Sequence, residues 1–159
     1  MSTLRVDSIR GQTADGNYRY IVQMQSTTIT DTTTITATSA TATGHIVSIT
    51  PKFSNSLILI NLTGGEQSYS GGSSGDAMVG RLHLYRQLTG GSYTSLAQVQ
   101  EQANGGVNYG NPHSVEFVDT THATTSAINY QIYAQVNANT YYYNYTPSNL
   151  VLKATEIAQ

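Results

Sequence analysis

Apolar side chains recur along this chain at two-residue steps and almost nowhere at the three- and four-residue steps of a helix. The clearest run is Ile128, Tyr130, Ile132, Ala134 and Val136, in strict alternation with Asn129, Gln131, Tyr133 and Gln135. A strand with one face in a core and one in water reads this way. Leu82 and Leu84 alternate with His83 and Tyr85 and run into Thr89-Gly90-Gly91, a hairpin signal. Val115 and Phe117 flank Glu116, and Tyr141, Tyr143 and Tyr145 alternate with Tyr142 and Asn144. Leu150, Val151, Leu152, Ala154 and Ile157 form a closing strand. Ile46-Val47-Ser48-Ile49 leads into Thr50-Pro51, where proline ends a ladder. Leu57-Ile58-Leu59-Ile60-Asn61-Leu62 is nearly all apolar, which predicts a strand covered on both faces. Residues 95–102 read equally well as a short helix or as strand and turn.

About eight strands with turn signals at short intervals predict an all-β protein, an antiparallel β-sandwich that is jelly-roll-like. Two glycine-bearing stretches, residues 64–76 and 103–112, are expected to interrupt it as long loops. Residues 1–20 form an extended N-terminal segment in front of a sandwich domain over residues 21–159. Leu4 and Val6 alternate with Arg5 and Asp7, Ile9 breaks the register, and Asp15-Gly16 marks a turn. The segment has too little apolar surface to fold alone, so it either docks on a partner or stays disordered when free. The domain is entered through a threonine tract over residues 25–43 in which only Ile29 and Ile35 are large and apolar. Branched Cβ atoms favour extended backbone, so the tract reads as solvent-facing strands and loops, with a low-complexity stalk as the alternative.

Composition sharpens this picture in two ways. Charged residues are 10% of the chain, far below the usual quarter or so, and hydrophobic residues are 38%. The surface must be dressed with Thr, Ser, Asn, Gln and Tyr, and a core this lean is expected to be completed by neighbouring subunits. Seven Lys plus Arg and a net charge of -2 supply no basic patch for nucleic acid. There is no basic amphipathic helix for a membrane surface and no stretch of about twenty apolar residues, so no membrane insertion is expected. No signal-peptide pattern opens the chain, so synthesis in a host cytoplasm is expected. Cysteine is absent, which removes disulfides and thiolate metal sites.

Candidate chemistry is sparse. Asp119 and His122 stand three apart and could share a metal, but that spacing at a strand end fixes no geometry, and no metal or other cofactor is expected. A glycosidase pair could be drawn from Glu66, Asp76, Glu101, Glu116, Asp119 and Glu156, yet nothing in the sequence places two of them together. Gly72-Ser73-Ser74-Gly75 lacks the spacing of a nucleophile elbow, and no glycine-rich turn opens a helix with a lysine. No catalytic residue is therefore assigned, and the chain is expected not to be an enzyme. Twelve tyrosines against two Phe and no Trp offer flat contact area with a polar tip, suited to sugar or protein recognition. Tyr69 in the first expected loop, and Asn104, Asn108 and Tyr109 in the second with His113 at its end, are the receptor-binding candidates. Strand tyrosines such as Tyr130 and Tyr143 are expected to fill the core.

The opening Met1-Ser2-Thr3-Leu4-Arg5-Val6-Asp7-Ser8-Ile9 resembles the leader of tailed-phage fibre proteins, especially those of aquatic phages. Thr50-Pro51-Lys52 before the Leu57–Ile60 apolar run, Asp119 ahead of the Thr124-Thr125-Ser126 and Tyr130 strand, and the closing Leu150 to Ile157 segment extend the likeness. The middle of the chain, residues 64–111, does not follow that pattern. The resemblance implies a virion protein, usually a homotrimer, that sits among other virion proteins and contacts a host surface glycan or protein. It also implies that residues 1–20 anchor the chain to the particle through Leu4, Val6 and Ile9. A capsid decoration protein that clamps the phage head is the rival reading, and a carbohydrate-binding module is a further one.

Overall fold

The computed structural model describes residues 19–70, 77–105, 111–145 and 149–159. Strands account for the regular structure of these residues: β1 (Ile21–Ile29), β2 (Thr33–Ile35), β3 (Thr41–Ile49), β4 (Leu57–Ser70), β5 (Ala77–Leu88), β6 (Thr94–Gly105), β7 (Asn111–Asp119), β8 (Ile128–Val136), β9 (Thr140–Tyr143) and β10 (Leu150–Ile157). Every strand pairing is antiparallel. One sheet runs β1-β10-β4, with β7 on the other side of β4; the second runs β3-β8-β5-β6. That interleaving of early and late strands in two four-stranded layers is the jelly roll. The short strands β2 and β9 pair with each other and extend the first sheet beyond the upper half of β4.

The alternation read in the sequence sets the layers. Ile58, Ile60 and Leu62 of β4, Leu82 and Leu84 of β5, and Ile128, Ile132 and Val136 of β8 are buried in one core between the sheets. Each such aliphatic contributes roughly 1.5–3 kcal/mol by leaving water. The threonine tract forms β1, β2 and the start of β3, with Ile29 and Ile35 reaching the core and most threonines facing out. Some of them tie elements together: the Thr27 hydroxyl donates to the Ile46 carbonyl at 2.8 Å, joining the two sheets.

Three expectations need correction, and one ambiguous reading is resolved. Residues 64–70 are not loop, because β4 continues to Ser70 through Gly64 and Gly65. Both glycines take positive φ, +86° and +61°, and bend the strand at a bulge instead of ending it. A Cβ on Gly64 would lie 2.6 Å from the Asn149 carbonyl oxygen. Likewise β6 carries the chain to Gly105 and β7 starts at Asn111, so the second expected loop shrinks from both ends. Residues 95–102 belong to β6; register shifts against β5 break the alternation there and make the sequence ambiguous. Finally, β4 is not covered on both faces: Leu57 and Leu59 point away from the core and stay half-exposed.

Candidate functional site

Two regions gather polar and aromatic side chains: the interior beside the upper half of β4, and the outer face of the β3-β8-β5-β6 sheet. The interior one holds two of the residues expected to bind a receptor. Tyr69 is 0% exposed, and His113 is 2% exposed. Neither presents itself to a receptor. The Tyr69 hydroxyl donates to the Gln102 carbonyl at 2.9 Å, its ring tilts against Tyr141 at 5.1 Å, and burial pushes its pKa up to about 12. Tyr141 donates to Gln67 Oε1 at 3.0 Å, and Gln67 Nε2 donates to Gln102 Oε1 at 2.7 Å. Gly80 makes room for this layer, since a Cβ there would lie 2.7 Å from the Tyr69 hydroxyl. His113 Nδ1 lies 3.0 Å from Gln100 Oε1, and its ring tilts against Tyr143 at 4.9 Å. His45 stacks on Tyr143 at 5.2 Å and faces Asp31 at 3.6 Å. Burial alone takes His113 down to about 4, so the ring is neutral. These groups fill a lean core and satisfy one another in part, while the Tyr143 hydroxyl, His113 Nε2 and His45 Nδ1 are buried without a hydrogen-bond partner among the described residues. Asn104 lies at the end of β6, paired with Met78. Asn108 and Tyr109, and the anchoring candidates Leu4, Val6 and Ile9, lie outside the described residues.

Of the carboxylates weighed for catalysis, Asp119 and Glu156 hold the fold together. Arg86 Nη1 donates to Asp119 Oδ2 at 2.7 Å and Oδ1 at 2.9 Å, the Tyr130 hydroxyl donates to Oδ2 at 2.7 Å, and the Thr121 amide donates to Oδ1 at 2.8 Å. Burial raises the Asp119 pKa, but the Thr121 amide, Tyr130 and Arg86 outweigh it and hold the carboxyl below its usual range. Asp119 thus accepts from Arg86, Tyr130 and Thr121, and His122 is buried. Glu156 accepts from the Lys52 and Phe53 amides at 2.8 and 3.0 Å, from Ser56 at 2.9 Å and from Gln23 at 2.7 Å, and so pins the turn between β3 and β4. Glu101 pairs with Arg81, and Glu116 accepts from Asn61. Asp76 lies outside the described residues. Among the described residues, no group of three or more His, Asp or Glu could hold a metal ion.

The outer face of the β3-β8-β5-β6 sheet is different, because its side chains are presented. Odd-numbered positions of β5 and β8 point outward, and the register sets Tyr85 opposite Gln131 and His83 opposite Tyr133. Tyr85 and Tyr133 are therefore diagonal neighbours, and they stack with centroids 3.8 Å apart at 21°. Tyr93, just before β6, tilts against Tyr133 at 6.1 Å. Around this cluster lies a lattice of amides. Ser48 donates to Asn129 Oδ1 at 2.6 Å, Asn129 Nδ2 donates to Gln87 Oε1 at 3.0 Å, and Gln87 Nε2 donates to the Gly91 carbonyl at 2.9 Å. Arg81 Nε donates to Glu101 at 2.6 Å at the far end. The result is an aromatic cluster with fixed amides around it, able to offer apolar contact and directional hydrogen bonds together. Tyr133 already stands on the polar side of the alternation in the sequence, but nothing there reveals that β5 brings Tyr85 against it.

No family model matches the chain, and no curated protein matches it. Among solved structures, one described as that of the infectious bursal disease virus Gx strain is similar with a TM-score of 0.43 and 12% identity, over 99% of this chain. The chain spans 45% of the length of that one.

Proposed function

We propose that this chain is a non-catalytic structural protein of a virion, of the tail-fibre type, that contacts a host surface glycan through the outer face of its β3-β8-β5-β6 sheet. The observation that carries the reading is the Tyr85–Tyr133–Tyr93 cluster within its amide surround. Sugars are bound by aromatic groups that take the C–H faces and by amides and hydroxyls that take the ring hydroxyls, and this face supplies both. The leader and strand pattern of the sequence supports the virion assignment, and the lean core supports assembly as a homotrimer. Three copies of a weak site raise avidity without any new contact.

A glycan array probed with the purified protein tests the site. Wild type is expected to retain a subset of glycans, and Tyr133→Ala and Tyr85→Ala are each expected to abolish retention while the circular dichroism spectrum stays unchanged. Loss of aromatic stacking costs about 1 kcal/mol per contact, a severalfold loss per site that three linked sites multiply. Retention that survives both substitutions would refute the assignment of this face.

A further inference from the structure

The outer face of the opposite sheet has the reverse chemistry. Cross-strand register lines up Met24 of β1, Thr155 of β10, Leu59 of β4 and Val118 of β7 in one row across the four strands. Ile21, Ile157 and Leu57 form the next row. Ile21 is 63%, Met24 53% and Val118 43% exposed, and Leu57, Leu59 and Ile157 are half-buried. Three of the most exposed large apolar side chains among the described residues thus share one flat patch. An apolar patch, interrupted by the buried Thr155, on a chain otherwise dressed in Thr, Asn and Gln marks a surface that something covers.

Geometry selects the occupant. With strands about 4.8 Å apart, the patch measures roughly 20 Å across the sheet and about 13 Å along it, on the order of 260 Å². Two copies meeting face to face would bury on the order of 500 Å², less than half of the roughly 1,200–2,000 Å² of stable interfaces. One extended segment fits better. Six residues span about 17–20 Å, the width of the patch. The eighteen residues before Arg19 contain such a piece, Leu4 to Ile9, with Leu4 and Val6 at the two-residue spacing of one strand face. The nine residues from Arg10 to Tyr18 can reach up to about 30 Å, and the chain enters β1 at Ile21, which is itself part of the patch. The sequence also places a turn signal, Asp15-Gly16, between that piece and β1.

The geometry points to the chain's own Leu4, Val6 and Ile9 as the cover of this face, laid across β1, β10, β4 and β7. The inference does not depend on the proposed function, since it concerns the other side of the sandwich. Met24 is the reporter. In the full chain its oxidation by hydrogen peroxide, followed by peptide mass spectrometry, is expected to be slower by about tenfold than in the Leu4→Ser, Val6→Ser, Ile9→Ser variant, because thioether oxidation follows exposure. Equal rates overturn the proposal. Protection that rises with protein concentration assigns the cover to a second copy and overturns it as well. A second reading covers the case in which that variant fails to fold: Leu59→Lys in the patch is expected to speed tryptic cleavage after Arg10 severalfold, and unchanged cleavage counts against the proposal.

Discussion

Acidification between pH 7 and pH 5 should weaken this fold through His113. The ring sits on β7 among Tyr143 and Gln100, 2% exposed, with its pKa taken down to about 4 by burial. In the unfolded chain the same imidazole titrates near 6.5. The unfolded state therefore binds more protons at every pH between the two values, so stability falls as pH falls through 6.5 and levels off below about 4. The difference is worth about 2 kcal/mol at pH 5 and about 3 kcal/mol once both states are protonated. His45, which also stacks on Tyr143, is likewise lowered by burial despite Asp31, and adds to the loss in the same direction. Asp119 and Glu156 are held below the usual carboxylate range, so their contribution is lost only as pH drops through that range and beneath it. The interval from pH 6.5 to 5 thus isolates the histidines. Urea unfolding followed by circular dichroism at pH 7 and pH 5, at one protein concentration, measures the slope. His113→Gln keeps a hydrogen-bonding amide beside Gln100 and cannot be protonated. Its stability difference between the two pH values should be smaller than that of wild type by about 2 kcal/mol. Parallel slopes in the two proteins would refute the reasoning, whatever the variant's stability at pH 7.

Two further outcomes follow from the interior. Gly80→Ala should lower the unfolding free energy by about 1–3 kcal/mol, because the added carbon would lie 2.7 Å from the Tyr69 hydroxyl and 3.0 Å from the Tyr141 ring; an unchanged urea midpoint would show that the layer yields freely. Arg86→Met should cost about 3–5 kcal/mol at pH 7, since it strands the Asp119 carboxylate, whose side chain is 1% exposed, without its counter-charge. Calorimetry checks it, and the gap between variant and wild type should narrow as Asp119 takes a proton at acid pH.

Strand β8 is legible in the sequence because both of its faces are pure, five inward apolar side chains against four outward polar ones. The pairing of first and last strands follows no local signal, yet the count and spacing of strands suffice for the jelly-roll class. Gly64-Gly65 misleads because a glycine with positive φ ends a strand as readily as it bends one, and only the neighbours decide: β7 pairs with β4 on both sides of the bulge. Tyr69 and His113 then move from expected loops into the core. Tyr85 and Tyr133 each look like a lone outward tyrosine in the sequence. Their stack depends on the β5–β8 register, which links residues about fifty positions apart and is not encoded by either strand alone.

The placement of β1 has a consequence for how the chain matures. Its partner within the sheet is β10, and the bond from Gln23 to Glu156 joins residues 133 positions apart. A nascent chain leaving the ribosome must therefore carry β1 unpaired until almost the whole domain has been made. Folding ruled by such distant contacts is slow, in the range of milliseconds to seconds or beyond, and the waiting strand is open to the wrong neighbours throughout. The Gln25-Ser26-Thr27-Thr28 stretch of β1 suits that wait: it is extended enough to dock when β10 arrives, and polar enough to stay in water until then.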